Sequence, residues 1–338
     1  PYEEVRDFFY ARHNHIPTLD EAAERLAERC QQKGGALDRG LEEELRRHDV
    51  RVASSGGDNA DGGAARRYDP ASRVLYLGRS LTAGQRAFQM ATQLAFHGEA
   101  AELAKLAAEG KFSSVEAARL ARIGLANYYA GAVLMPYGRF LSDAERLGYD
   151  IDLLAERFGA GFETVCHRLS TLQRPGAPGV PFFFVRVDRA GNMSKRQSAT
   201  SFHFSRIGGA CPLWNVYEAF AAPDRILTQL AQMPDGRTYL WIARTVVHRR
   251  GGYGAPSKTF AIGLGCDARH AGRLVYGRGL ALDDPAAVTP IGGGCKVCDR
   301  PACPQRAFPA LGRALDVDEN LSRFEPYPAA ERRSENTP

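Results

Sequence analysis

The sequence predicts an α+β protein in two parts: a mostly helical first part, then an antiparallel-sheet α+β part that carries a four-cysteine metal site. Three observations carry this. Up to about residue 172 apolar side chains recur every three to four positions between helix-capping signals. Arg174-Pro-Gly-Ala-Pro-Gly-Val-Pro181 then interrupts the chain with three prolines and two glycines in eight residues. Beyond it the apolar residues come as short β-branched and aromatic runs, and cysteines crowd one stretch. These features divide the chain at 1–174, 182–330 and a polar tail, 331–338, expected to be disordered.

In the first part, Tyr2–Tyr10 keeps Val5, Phe8 and Phe9 near one helical face, and Leu19–Cys30 does the same with Ala22, Ala23 and Leu26. Thr18 with Glu21 three positions on reads as a capping box. The glycine-rich segment 54–66 reads as a loop between two short strands, Val50–Val52 and Arg73–Leu77, with a turn at Asp69-Pro70. Helical spacing resumes from Thr82 to about Gly110, and again from Ser113, a second capping box with Glu116, to Met135 before Pro136. Shorter helices follow over 141–172. Two of them, Ile151–Phe158 and Phe162–Leu169, join through Gly-Ala-Gly, a spacing open to a packing role or to a DNA-reading helix-turn-helix with Glu163, His167 and Arg168 on its face.

In the second part, Phe182–Asp188, Thr238–Val247, Thr259–Leu264 and Arg273–Tyr276 read as strands, and Trp214–Phe220 and Arg225–Met233 as helices.

Cys295, Cys298 and Cys303 form C-x2-C-x4-C, short loops that can aim several sulfurs at one centre. Cys211, followed by Pro212, is the best fourth ligand and Cys266 its rival; Cys30 and Cys166 lie on helical apolar faces as small core residues. Four thiolates mean zinc or an iron–sulfur cluster, and disulfides or unligated core cysteines are the bland alternatives. A zinc ribbon prefers two close C-x2-C pairs, and the second pair is missing here. Lys296, Arg300 and Arg306 would offset the charge of either centre.

Composition narrows the function. Hydrophobic residues make up 44% and charged ones 25% of the 338, with no apolar run long enough to span a membrane. A metal-type cysteine cluster without a signal segment points to the reducing cytoplasm. The net charge of +5 permits an acidic ligand without proving one. The first residue is Pro1 rather than Met, so the chain is expected to continue N-terminally.

The segments Arg86-Ala-Phe88-Gln-Met-Ala-Thr92-Gln93-Leu-Ala-Phe96-His97 and Leu125-Ala-Asn-Tyr128-Tyr129 resemble the zincin domain of the IrrE/ImmA metallopeptidase family. That family carries His-Glu-x-x-His on its first helix, two histidines for zinc and a glutamate that activates water. This chain has Thr92, Gln93 and Phe96 at those positions, and Ile123 and Gly124 where a third ligand would precede Leu125-Ala-Asn. The resemblance therefore implies a degenerate zincin-like domain with its chemistry deleted; His97, one residue out of phase with Phe96, reads as a capping or lining histidine rather than a ligand.

That combination, followed by a cysteine-bearing domain, resembles the short-chain fatty acyl transcriptional regulators of actinobacteria over almost the whole chain, most specifically at 2–16, 82–97, 123–140, 191–198 and 292–308. The resemblance implies an effector-sensing region of a transcription regulator, not an enzyme. It implies a [4Fe-4S] cluster on Cys211, Cys295, Cys298 and Cys303, with zinc as the alternative, in a domain of GAF-like form. It also implies coenzyme A or a short-chain acyl-CoA as ligand, DNA contacted through an N-terminal helix-turn-helix domain, and a homo-oligomer. A CoA site needs cations for phosphates and aromatic surface for the base. Phe96, His97, Tyr128, Tyr129, Arg86, Arg122, Lys195 and Arg196 are its candidates, each with an ordinary reading as core aromatic or solvated charge. A metal-dependent hydrolase, an iron–sulfur redox enzyme and a DNA-binding module with structural zinc are the competing functions.

Overall fold

A computed structural model describes residues 1–31, 36–55, 64–199, 211–249, 253–255, 257–300, 303–325 and 327–328. The body of the glycine-rich loop (56–63) and the polar tail (331–338) lie outside these residues. The chain forms two compact units: Pro1–Phe182 with Gln197–Thr200 and Val247–Lys258, and Phe183–Arg196 with Ser201–Val246 and Thr259–Pro338.

The first unit holds α1 (Tyr2–Tyr10), α2 (Pro17–Gln31), α3 (Leu37–Arg47), β1 (Arg51–Ser54), β2 (Arg66–Asp69), β3 (Val74–Leu77), α4 (Ala83–Gly98), α5 (Ala100–Glu109), α6 (Val115–Leu134), α7 (Tyr137–Arg146), α8 (Ile151–Phe158) and α9 (Phe162–Leu169). The centre is α6, which packs against α1, α2, α4, α5 and α9. Its alanines 117, 121, 126, 130 and 132 are fully buried and let several helices approach at once. Small residues do the same elsewhere: a Cβ at Gly40 of α3 would lie 2.6 Å from Cys30 Cβ, so the buried Cys30 is a packing residue.

Two caps differ from their sequence reading. Pro17 starts α2, so Thr18 lies inside the first turn and its hydroxyl donates to Glu102 Oε1 at 2.8 Å. The α6 cap is Ser114, whose Oγ accepts from Ala117 N, because Ser113 turns its N–H and hydroxyl to Glu4, both at 2.7 Å. The predicted helix over 82–110 is two helices, parted at Glu99; Thr82 and Gln85 cap the first reciprocally. The small sheet has three strands, β1-β3-β2, with β1 parallel and β2 antiparallel to β3. The added strand is β2, whose Arg-Arg-Tyr-Asp carries no apolar alternation to announce it.

A polar network lies within this unit. Asp20 is fully buried and Arg168 is 2% exposed. Arg168 Nη2 donates to Asp20 Oδ1 at 2.7 Å, its Nε to the Met135 carbonyl at 3.0 Å and its Nη1 to Thr171 Oγ1 at 3.1 Å. Tyr128 donates to Asp20 Oδ2 at 2.7 Å and accepts from Ile16 N, while His15 Nε2 lies 3.1 Å from the same carboxylate. This corrects the helix-turn-helix reading of 151–169: Arg168 belongs to the interior, and Glu163 faces His248 at 3.6 Å. What would have been a basic DNA-facing surface is largely a packing surface, with Phe162, Val165, Cys166 and Leu169 buried on the same helix.

The second unit carries β4 (Phe183–Val187), β5 (Met193–Ser198), α10 (Asn215–Glu218), β6 (Leu227–Gln232), β7 (Thr238–Arg249), β8 (Ser257–Asp267) and β9 (Thr289–Pro290), in the sheet order β5-β4-β8-β7-β6-β9. Strands β4 and β8 pair antiparallel, as do β6 and β7, while β9 adds parallel to β6. Trp241 of β7 is fully buried and packs on Trp214 and Phe183 at ring distances of 4.5 and 4.9 Å. A Cβ at Gly265 of β8 would come within 2.8 Å of this indole, so glycine makes the room.

The stretch read as a helix over 225–233 is instead strand β6. Its glutamines suit a helix, but Gln229 ties the strand to the start of α10, accepting from Asn215 N at 3.0 Å and donating to Leu213 O at 2.8 Å. The predicted strand Arg273–Tyr276 is part of two 3₁₀ turns, Ala268–Arg273 and Val275–Gly277, the first capped by Asp267. Among the described residues, no helix is long and apolar enough to cross a membrane.

Burial alone would raise the Asp20 pKa; the Arg168 charge and hydrogen bonds from His15, Tyr128 and Arg168 outweigh it and bring the carboxyl from 3.8 down to about 2. Asp20→Ala strands a buried cation and is expected to cost about 3–5 kcal/mol, read as a lower urea midpoint. The folded pKa lies below the unfolded one, so the Asp20 contribution is present above pH 3.8 and drains away as the pH falls to about 2. Asp20→Asn should lack that acid-dependent loss; an unchanged midpoint in Asp20→Ala would refute the network's role.

Candidate metal centre and ligand-facing residues

Cys211, Cys295, Cys298 and Cys303 line one small, partly open recess in the second unit. The loops that bring them there are short and tightly held. A 3₁₀ turn over Cys295–Val297 follows Gly294, whose φ of 130° suits glycine. A Cβ at Gly292 would lie 2.6 Å from Cys298 Sγ, so only glycine allows that approach. Cys211 is buried and joins the Trp214–Trp241 core. Burial raises its thiol pKa, the amides of Gly292 and Leu213 that hydrogen-bond it lower it, and the neighbouring Cys295 and Cys298 raise it again.

Arginines pin the loop. Arg306, 3% exposed, donates from Nη1 to Cys295 O at 3.2 Å and from Nη2 to the carbonyls of Cys298 and Arg300. Arg300 Nε donates to Ile291 O at 2.9 Å, and its Nη2 reaches Gln232 O, which fastens the loop to the end of β6. Cys303 N donates to Glu325 and Ala307 N to Cys295 Sγ at 3.5 Å. No disulfide joins any of the seven cysteines. Cys266, the rival candidate for the fourth position, does not line the recess and is fully buried in β8. Among the described residues, no three His, Cys, Asp or Glu side chains stand together as the ligands of a single bound ion.

In the first unit, the positions that would bear the peptidase ligands are otherwise engaged. Thr92 Oγ1 donates to Phe88 O at 2.8 Å within its own helix. Gln93 accepts from Arg66 Nη1 at 3.2 Å and meets His97 Nε2 at 3.0 Å. Phe96 faces the Arg66 guanidinium at 5.4 Å. Ile123 is exposed and Gly124 backs onto Phe9.

The structure brings some ligand candidates together and separates others. Phe96 and His97 share a cluster with Arg66, with Tyr68, whose ring is 5.1 Å from His97, and with His48, at 6.1 Å. Burial, then His48 and Arg73, lower the His97 pKa. Tyr128 points instead into the Asp20 network, and burial together with Asp20 raises its pKa. Tyr129 is buried, its pKa raised by burial and by Glu99. Arg86 is half-buried on α4, and Arg122 on α6 has a buried Nε without a hydrogen-bond partner among the described residues. Lys195 and Arg196 lie on β5 in the other unit, Lys195 over the Phe184 ring at 5.5 Å.

Sequence reasoning missed Arg66, Tyr68 and His48, which arrive through the unannounced strand β2 and the end of α3. Burial lowers the Arg66 pKa, and no carboxylate pairs with it among the described residues. A charged residue beside Tyr68 in a four-residue strand offers no signal in sequence.

Residues 45–170 match the family described as IrrE N-terminal-like domain, and residues 171–327 the family described as Short-chain fatty acyl coenzyme A regulator, C-terminal. The chain is 56% identical over 333 residues to the HTH-type transcriptional regulator PrpR of Mycobacterium tuberculosis, covering 98% of this chain and 68% of that protein. It is 55% identical to the HTH-type transcriptional regulator RamB of the same organism (97% and 69% covered) and 44% identical to the Propionyl-CoA carboxylase regulator of Cereibacter sphaeroides (97% and 69%). A solved structure titled Mycobacterium tuberculosis transcriptional regulator superposes with a TM-score of 0.92 at 56% identity, covering 97% of this chain and 99% of that one. The class these likenesses define is the transcriptional regulator, not the enzyme. The chain belongs to the short-chain fatty acyl coenzyme A regulator family.

With any metal removed, a thiol reagent is expected to modify the partly exposed Cys295 and Cys303 first and the buried Cys211 and Cys298 later. Cys30, Cys166 and Cys266 should react only on unfolding, Cys266 last because burial raises its pKa far above the ordinary thiol value. Peptide mass spectrometry reads the order; early labelling of Cys266 with Cys295 protected would contradict the recess.

Proposed function

We propose that this chain is the effector-sensing region of a transcription regulator that binds CoA or a short-chain acyl-CoA and holds an iron–sulfur cluster on Cys211, Cys295, Cys298 and Cys303. The observation that carries this reading is the convergence of four free cysteines, remote in sequence from Cys211 to Cys295, on one glycine-shaped recess. The residues fit such a group. Gly292 leaves space where a Cβ would meet Cys298, amide N–H groups reach Cys211 and Cys295, and Arg306 presents a buried N–H with no acceptor among the described residues. A bound cluster would supply redox-sensitive thiolate cross-links. The antiparallel sheet with α10 on its core face supports a GAF-like form for this domain.

For the acyl-CoA, the desolvated Arg66 beside Phe96, His97 and Tyr68 offers a phosphate donor and aromatic surface in the frame where a peptidase would keep zinc. The family description and the propionyl-CoA of one relative's name support short acyl chains. Binding one of two conformations better than the other would bias a DNA-binding domain of the kind the relatives' names carry, with coupling of about 1–3 kcal/mol. A transcription regulator of this kind works in the cytoplasm.

Anaerobically purified protein is expected to be brown, with a broad visible band and iron and acid-labile sulfide in equal amounts; colourless, zinc-loaded protein would exclude the cluster. Cys298→Ser and Gly292→Ala should both lose iron, the latter without removing a ligand. In calorimetric titration with propionyl-CoA, Arg66→Gln should weaken binding roughly ten- to a hundredfold, the weight of one charged hydrogen bond of about 1.5–3 kcal/mol. Unchanged affinity would move the ligand elsewhere.

A further inference from the structure

We infer that the Nε–H of Arg306 donates a hydrogen bond to a sulfur of the metal-bound thiolate group, which makes Arg306 a positioning and charge-tuning residue of the centre. The inference rests on the reading that Cys211, Cys295, Cys298 and Cys303 hold a metal.

Arg306 is 3% exposed, and its two terminal nitrogens are committed to the carbonyls of Cys295, Cys298 and Arg300. Those three bonds fix the plane of the guanidinium. They leave Nε, which is buried and has no hydrogen-bond partner among the described residues. An unsatisfied buried N–H costs about 1–3 kcal/mol, more when the group is charged, and buried polar groups in folded proteins are almost always satisfied. The acceptor is therefore to be sought in what fills the recess that Arg306 lines together with all four cysteines.

Charge points the same way. Arg306 forms no ion pair with a carboxylate among the described residues, and Arg300, on the same recess, spends its guanidinium on the Ile291 and Gln232 carbonyls. Among the described residues no Asp or Glu lines the recess itself; Glu325 meets only the Cys303 amide behind it. A buried cation without an anion is expensive, and four thiolates around a metal supply the anion. Amides already reach Cys211 and Cys295, so the Arg306 N–H would be the charged member of a set of N–H to sulfur contacts. Such a contact favours the more negative, reduced form and raises the potential of an iron–sulfur centre.

The test strips the full chain of its own metal, reloads it with spin-active cadmium and records the arginine Nε–H resonances, which stand apart from backbone amides. The expected result is a four-thiolate cadmium signal with scalar coupling to one arginine Nε proton. That coupling should vanish in Arg306→Lys, which keeps the charge and loses the Nε–H. A four-thiolate signal with no coupled arginine overturns the Arg306 inference, and absence of any four-thiolate signal overturns the underlying assignment of the cysteines. The first measurement uses wild-type protein, so it stands even if the variants fail to fold. In iron-loaded protein, Arg306→Gln should show a more negative midpoint potential than wild type with Arg306→Lys between them; equal potentials in loaded variants overturn the tuning role.

Discussion

A buried guanidinium has to be met by acceptors on every side, and the helical unit is arranged around one that is. Arg168 on α9 reaches Asp20 of α2, the carbonyl of Met135 at the end of α6 and the hydroxyl of Thr171. Tyr128 of α6 and His15 complete the shell of the same carboxylate. Segments more than a hundred residues apart must therefore arrive together, because omitting any one strands a charge in the interior. The apolar packing of α6 supplies most of the driving force, and the polar network selects the arrangement in which those helices meet.

The second unit meets the same demand at a smaller scale. Its cysteine loop has little regular structure and few apolar anchors, so Arg300 and Arg306 do what a helix or strand would do elsewhere, by collecting backbone carbonyls from the loop and from β6. Glycine at 292 and 294 gives the chain the conformations and the clearance this requires. Cys211 enters from another direction, anchored in the tryptophan core. The loop is thus held through its backbone carbonyls, with its sulfurs lining the recess.

In the first unit the metallopeptidase frame persists while its ligand positions have been turned to other uses. Thr92 bonds its own helix, Gln93 bridges Arg66 and His97, and Phe96 offers a ring to a cation. The region that carries zinc ligands in that family here gathers a desolvated cation, Arg66, with the rings of Phe96, Tyr68 and His97. Membership in a regulator family fits that change.

What the sequence alone determined was whatever depends on short-range pattern: the two-part α+β division, most helices, the strands β4, β7 and β8, the close C-x2-C-x4-C triplet and the replacement of His-Glu-x-x-His. These are legible because periodicity and motif spacing are local. Tertiary structure alone decided the rest. It made a strand of the glutamine-bearing 227–232 through its pairing with β7, and turns of 273–276. It moved Ser113 from a cap to a partner of Glu4, buried Arg168 that had looked like a surface charge, and left Cys266 outside the recess that Cys211 joins. Arg66 was invisible as a site residue, and Arg306 legible only as a charge near the cysteines, for the same reason: a cation's role depends on which acceptors lie near it and how far water is excluded, and both are set by contacts distant in sequence.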